Sequence, residues 1–112
     1  MTGYQKGLDG EVLAGNYLQN LGMQILNTRY RANGGEIDII ANDKGKLRFV
    51  EVKFRPQGRL GSGLASVDDI KRKRVYNAAK AYMKQKRAVT SWQFDIIEIS
   101  RAGIYFIEDA TK

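Results

Sequence analysis

Apolar and polar positions follow two different periods along the chain. Residues 5–21, QKGLDGEVLAGNYLQNL, repeat apolar side chains at helical spacing, with Leu8, Val12, Leu13, Tyr17, Leu18 and Leu21 as the expected buried stripe. Gly7, Gly10 and Gly15 cost helix propensity, which points to close packing against a neighbour. Gly22 is a C-terminal stop. Beyond it the period falls to two, and strands are expected at about 23–30, 36–41, 47–54, 91–99 and 104–108. The second and third are joined by NDKGK, a hairpin signal. Pro56 closes the third strand, and QGRLGSGLA (57–65) reads as a Gly-rich loop. A second helix opens at Ser66, three residues before Asp69 in the manner of a capping box, and runs to about Lys86. The order is αβββαββ, a mixed α/β domain.

Two of these strands carry charge inside apolar runs. In EIDIIA (36–41), Glu36 and Asp38 share one face and Ile37, Ile39 and Ala41 the other. In FVEVKFR (49–55), Glu51 and Lys53 lie opposite Val50, Val52 and Phe54. A hairpin centred on Lys44-Gly45 sets Asp38 directly across from Glu51 and Glu36 across from Lys53. Facing carboxylates repel, so such a pair binds a cation, shares a proton or is neutralised by a lysine. A divalent metal makes all four residues useful together. The other reading is the solvated face of an antiparallel sheet, where charge is ordinary. Glu11, beside the apolar stripe of the first helix, either completes a metal site or pairs with a basic residue.

Composition narrows the chemistry. The 112 residues fit one domain, 1–112, with a single core. There is no histidine and no cysteine, which excludes imidazole and thiol catalysis, disulfides, His-ligated metals and Cys-based zinc sites. A bound metal would be a hard cation, Mg²⁺ or Mn²⁺, held by oxygen. No apolar run reaches the roughly 18–20 residues that cross a membrane, and the N-terminus lacks a signal-peptide core, so no membrane partner and a cytoplasmic location are expected.

The net charge of +7, from 19 basic and 12 acidic residues, favours a polyanion such as nucleic acid. Eight of the 19 basic residues fall between Lys71 and Arg87. Lys73, Lys80, Lys84 and Arg87 are expected at the surface as phosphate contacts, with Lys71 nearer the carboxylates. Arg74 falls on the same helical face as Val67, Ile70, Ala78 and Tyr82, at the core edge. Arg55 and Arg59 flank the Gly-rich loop, which could close over a nucleic-acid backbone. Phe49, Phe54, Trp92, Phe94, Tyr105 and Phe106 read as core instead of a stacking platform.

Taken together, GLDGEVLAGNYLQNLG, RANGGEIDIIA, FVEVKFR and SVDDIKRKRVYNAAKAYM resemble the UPF0102 (YraN-like) family of small bacterial proteins, from about Gly7 to Ile107. That family is similar to the restriction-endonuclease-like, PD-(D/E)XK superfamily, and within it to Holliday-junction resolvases. The resemblance implies a three-layer α/β/α domain with a central mixed sheet. It implies Asp38 as the first acid, Glu51 and Lys53 as the E-x-K pair, Glu11 as the helical glutamate and Glu36 in support. The family usually opens with Gly-Arg-x-Gly-Glu; here Leu8 stands at the arginine position and Glu11 is kept. The implied activity is metal-dependent hydrolysis of phosphodiester bonds in DNA, branched DNA included. Asp38, Glu51 and Glu11 would hold Mg²⁺ or Mn²⁺, and Lys53 would act at the attacking water. Resolvase-like relatives act as dimers, so a homodimer is the assembly the resemblance points to. Two other readings stay open: a non-catalytic nucleic-acid-binding module on the same fold, and a protein–protein interaction domain whose acids are structural.

Overall fold

The computed structural model describes residues 3–54, 69–86 and 91–110, with the side chains of 10–54, 70–86 and 91–110. The elements are α1 (Gly3–Asn20), β1 (Gln24–Ala32), β2 (Gly35–Asp43), β3 (Lys46–Phe54), α2 (Asp69–Gln85), β4 (Trp92–Ser100) and β5 (Gly103–Ile107). This is the expected αβββαββ order. One sheet holds all five strands in the order β1-β2-β3-β4-β5. β3 and β4 run parallel and the other neighbours antiparallel. A parallel pair needs a crossover, and the segment containing α2 provides it.

Each helix covers one face of the sheet, giving the three-layer α/β/α arrangement. Ala14 and Leu18 of α1 pack on Ile39, Ala41, Val50, Ile97 and Ile99. Val75, Ala78, Ala79 and Tyr82 of α2 pack on Ile37, Ile40, Phe49, Phe94 and Ile96. Both stripes differ from the expected ones. In α1, Val12, Leu13 and Leu21 are exposed, and the small residues Gly10 and Ala14 are buried instead. A Cβ on Gly10 would sit 3.1 Å from Phe54 Cβ, so the glycine lets α1 approach β3. In α2, Ile70 and Arg74 turn outward, and the i, i+3, i+4, i+7 set from Val75 to Tyr82 faces the sheet. Tyr105, expected in the core, lies exposed on the edge strand β5.

α1 ends in a Schellman motif: Gly22, at φ 94°, donates to the Gln19 carbonyl (2.9 Å), and Met23 N–H donates to that of Leu18 (3.1 Å). The hairpin turns on Lys44 and Gly45, both at positive φ, with Gly45 N–H donating to Asn42 Oδ1 at 3.0 Å. From there the expected register holds, from Asp43–Lys46 to Ile39–Val50.

The ladder stops one step short of the acids. Asp38 and Glu51 are not ladder partners, nor are Glu36 and Lys53. Instead Asp38 Oδ2 accepts Val52 N–H at 2.8 Å, so a side chain substitutes for the missing ladder bond. On the other flank, Thr28–Ile39 and Tyr30–Ile37 bracket Arg29, whose φ of 52° breaks the regular strand beside Asp38. The alternation slips here as well. Ile37 and Ile40 belong to the α2 cluster and Ile39 and Ala41 to the α1 cluster, so the expected single face of Ile37, Ile39 and Ala41 is split between the two layers.

Candidate active site

β2 and β3 part at Asp38 and Glu51, and α2 crosses above them. The result is a cleft of about 450 Å³ lined by Glu36, Asp38, Glu51, Ile70, Lys71, Arg74 and Val75. Gly35 sets the distance between helix and sheet, since a Cβ there would collide with the Arg74 carbonyl oxygen and touch the Ala78 side chain. Glu51 is buried at the cleft floor and carries two cations. Lys71 Nζ from α2 lies 2.6 Å from its Oε1, and Lys53 Nζ lies 3.4 Å from the same atom.

Burial, and after it the crowding of charges, sets the electrostatics. Burial, then the neighbouring Glu51 charge, pushes the Asp38 carboxyl up to about 7 against the opposing pull of the Val52 hydrogen bond; the Glu11 and Glu36 charges add to the rise. Burial, then the adjacent Lys71, lowers the Lys53 pKa in spite of Glu51. For Lys71, burial works against the charged form, but its contact with Glu51 outweighs that and the pKa rises. The cleft is thus lined by a carboxyl that titrates near neutrality, and Lys53, beside Glu51, is shifted toward its neutral form.

The other predicted site residues are distributed around this centre. Glu11 Oε2 pairs with Arg29 Nε at 2.8 Å on the α1 side, yet its charge reaches Asp38. Glu36 sits at the rim with Arg31 Nε 3.6 Å away. Among the described residues, no group of three acids forms a ready-made metal cluster. Lys73, Lys80 and Lys84 are exposed on α2. None of the three lines the acidic cleft. Arg55, Arg59, Arg87 and the helix start at Ser66 lie outside the described residues.

Sequence reasoning missed one partner of the acids, Arg29, and one wall of the cleft, Arg74. Arg29 is set by the irregularity in β1, which no residue-type signal announces. Arg74 lines the cleft because α2 is rotated relative to the expected stripe; the buried run Val75, Ala78, Ala79, Tyr82 was the signal that would have placed it.

The model of the family described as "Uncharacterised protein family UPF0102" matches residues 10–99, which include every element from most of α1 to most of β4. The chain belongs to family UPF0102. Among UPF0102 proteins, one from Chlorobium chlorochromatii is 43% identical over 94 residues, covering 84% of this chain and 73% of its own. One from Lachnoclostridium phytofermentans is 38% identical, covering 94% and 91%. A third, from Persephonella marina, is 38% identical and covers 98% and 96%. All the acids of the cleft and Glu11 fall within the span matched by the UPF0102 model.

Proposed function

We propose that this cleft is the active site of a metal-dependent nuclease of the restriction-endonuclease-like, PD-(D/E)XK kind, hydrolysing phosphodiester bonds in DNA, branched DNA included. The observation that carries the reading is the convergence of Asp38, Glu51 and Lys53 where β2 and β3 separate, under a helix rich in basic residues. The donors are carboxylate oxygens, which fits Mg²⁺ or Mn²⁺. Asp38 and Glu51 would hold the ion, and Glu11 would join them on releasing Arg29. With no third acid in place among the described residues, the remaining positions would fall to water, a backbone carbonyl near Val52 and the substrate phosphate. When bound, such an ion stabilises negative charge on the scissile phosphate and acidifies a water.

The chain's own groups do the rest. Lys71 Nζ balances Glu51; with Glu51 engaged by an ion, the Lys71 ammonium would be free to contact a substrate phosphate. Lys53, with its lowered pKa, is suited to hold or accept a proton of the attacking water at Nζ, or to stabilise the leaving charge. Arg74 at the rim and Lys73, Lys80 and Lys84 on α2 offer backbone contacts that weaken with salt through counterion release.

A second reading is a non-catalytic nucleic-acid-binding module. It is favoured by one observation: Glu11, Glu36 and Glu51 each already have a basic partner. Calorimetric titration of Mn²⁺ separates the two. The nuclease reading expects saturable binding by the wild type, with or without DNA, that is lost in Asp38→Ala/Glu51→Ala. Heat-silent titrations in both conditions, with the fold intact by circular dichroism, would move the assignment to the second reading.

A further inference from the structure

A second cavity lies on the opposite flank of α2. It measures about 260 Å³ and is lined by Arg72, Lys73, Val75, Tyr76, Trp92 and Phe94. Val75 borders both cavities. Lys71 and Arg74 turn to the acidic cleft, while Arg72, Lys73 and Tyr76 turn to this one. We propose that this cavity receives one unpaired nucleobase, so that the substrate of the proposed nuclease carries a single-stranded stretch beside the bond to be cut. The inference rests on the nucleic-acid reading above and adds to it a class of substrate.

Three features point to a base. First, the walls are aromatic. Tyr76 and Trp92 stand with ring centroids 5.7 Å apart at 46°, neither stacked nor edge-on, so they form a wedge. Trp92 is braced from the core by Phe49, 5.7 Å away in an edge contact, and Tyr76 remains 46% exposed. Planar heterocycles stack on such rings whatever their sequence.

Second, the rim is cationic. Lys80 Nζ lies 4.7 Å over the Tyr76 ring, and Arg72 and Lys73 border the opening. Together with the net charge of +7, this favours an aromatic ligand attached to an anionic chain over an apolar peptide. Third, Arg72 Nε is buried without a hydrogen-bond partner among the described residues. A buried donor left unmade is costly, and an acceptor edge of a base or a phosphate oxygen would satisfy it.

The spacing is consistent with one strand engaging both cavities. Glu51 lies beside Ile96 in the parallel ladder, four residues along β4 from Trp92. At about 3.3 Å per residue this is about 13 Å, the reach of a few nucleotides. A paired base is stacked inside its duplex and cannot enter the wedge, so the site discriminates by strand pairing.

Trp92 is the only tryptophan in the chain, so its fluorescence reports on this cavity alone. A short single-stranded oligonucleotide and a blunt duplex of equal length are titrated in EDTA, following Trp92 emission and, in parallel, fluorescence anisotropy of labelled DNA. Saturable Trp92 quenching by the single strand and not by the duplex is expected. Tyr76→Ala should weaken single-strand binding about tenfold while Tyr76→Phe keeps it. Single-strand binding by anisotropy without Trp92 quenching, or with Tyr76→Ala at wild-type affinity, would overturn the base pocket. Metal-dependent cleavage of duplex DNA scores the nuclease reading separately: cleavage with a silent Trp92 leaves that reading standing and removes the pocket. Absence of single-strand binding by anisotropy likewise removes the pocket, and the cleavage assay alone then decides the nuclease reading.

Discussion

Asp38 shows how much one side chain on a strand can signal and how much it conceals. That an acid sits within EIDIIA, next to E-x-K in FVEVKFR, is legible because strands carry side chains at fixed period. That its Oδ2 takes the Val52 N–H is not, because the bond exists only where the β2–β3 ladder stops. Burial and the neighbouring Glu51 charge, against the pull of that bond, raise its carboxyl from 3.8 to about 7, which gives a pH signature. Between about pH 4 and 7 the folded chain keeps a proton that the unfolded chain has released, so stability falls as pH rises through that window. Asp38→Asn removes the ionisation and keeps an acceptor for Val52. The variant should match the wild type near pH 4 and exceed it at pH 8 by about 2 kcal/mol, roughly half of what the full shift would give, since the two neighbouring lysines respond to the same ionisation. Urea unfolding across this range checks it; a pH-independent difference would show that Asp38 ionises freely.

At the scale of elements, every strand and both helices can be read from the sequence, but the helix faces cannot. The expected stripe of α1 follows large apolar residues, whereas the buried one follows Gly10, Ala14 and Leu18, because close approach to Phe54 rewards small side chains. In α2 the alanines Ala78 and Ala79 carry the packing that Ile70 was expected to share. Positions of contact between backbones are therefore set by small residues that hydrophobicity patterns undervalue. Gly35 is the clearest case. Gly35→Ala should cost at least about 2 kcal/mol, as overpacking does, because the colliding atom is the Arg74 backbone oxygen and not a movable side-chain tip. Chemical denaturation measures it. A change below 0.5 kcal/mol, by the scale of ordinary surface substitutions, would mean that α2 shifts freely over the sheet and that the cleft is not rigidly spaced.

Across the whole molecule, charge is organised at two ends of the sheet. The cleft gathers unlike charges around Glu51. About 10 Å away along β3, taking three residues at strand spacing, Arg48 is buried and fully engaged. Its Nε donates to Asp95 Oδ2 (2.6 Å), Nη1 to Asp43 Oδ2 (2.7 Å) and Nη2 to Glu108 Oε1 (2.8 Å), while Asp95 Oδ1 also accepts from Gln93 Nε2 and Asp109 N–H. Its partners come from β2, from β4 and from the segment after β5, so this network joins both halves of the sheet across the parallel β3–β4 pair. Sequence reasoning passed over it, since Arg48 and Asp95 lie 47 residues apart and meet only once β3 and β4 are neighbours. Arg48→Met would strand Asp95, which is completely buried, and should destabilise the fold by about 3–5 kcal/mol. Thermal unfolding near neutral pH reads this out, and a loss under 1 kcal/mol would assign the network no structural role, being no more than an exposed pair provides.

The proposed active site lies at the other end, and cleavage of DNA tests it. Branched, single-stranded and duplex DNA are incubated with the wild type, Asp38→Asn and Lys53→Ala in Mn²⁺, Mg²⁺ or EDTA, and the products are resolved at nucleotide resolution. A metal-dependent nuclease cuts in either metal as wild type, does not cut in EDTA, and loses about 10²-fold or more in both variants, the scale on which a positioned proton carrier or charge stabiliser acts. DNA that stays intact with the folded wild type in both metals, or cuts that persist unchanged in Asp38→Asn, would contradict this reading.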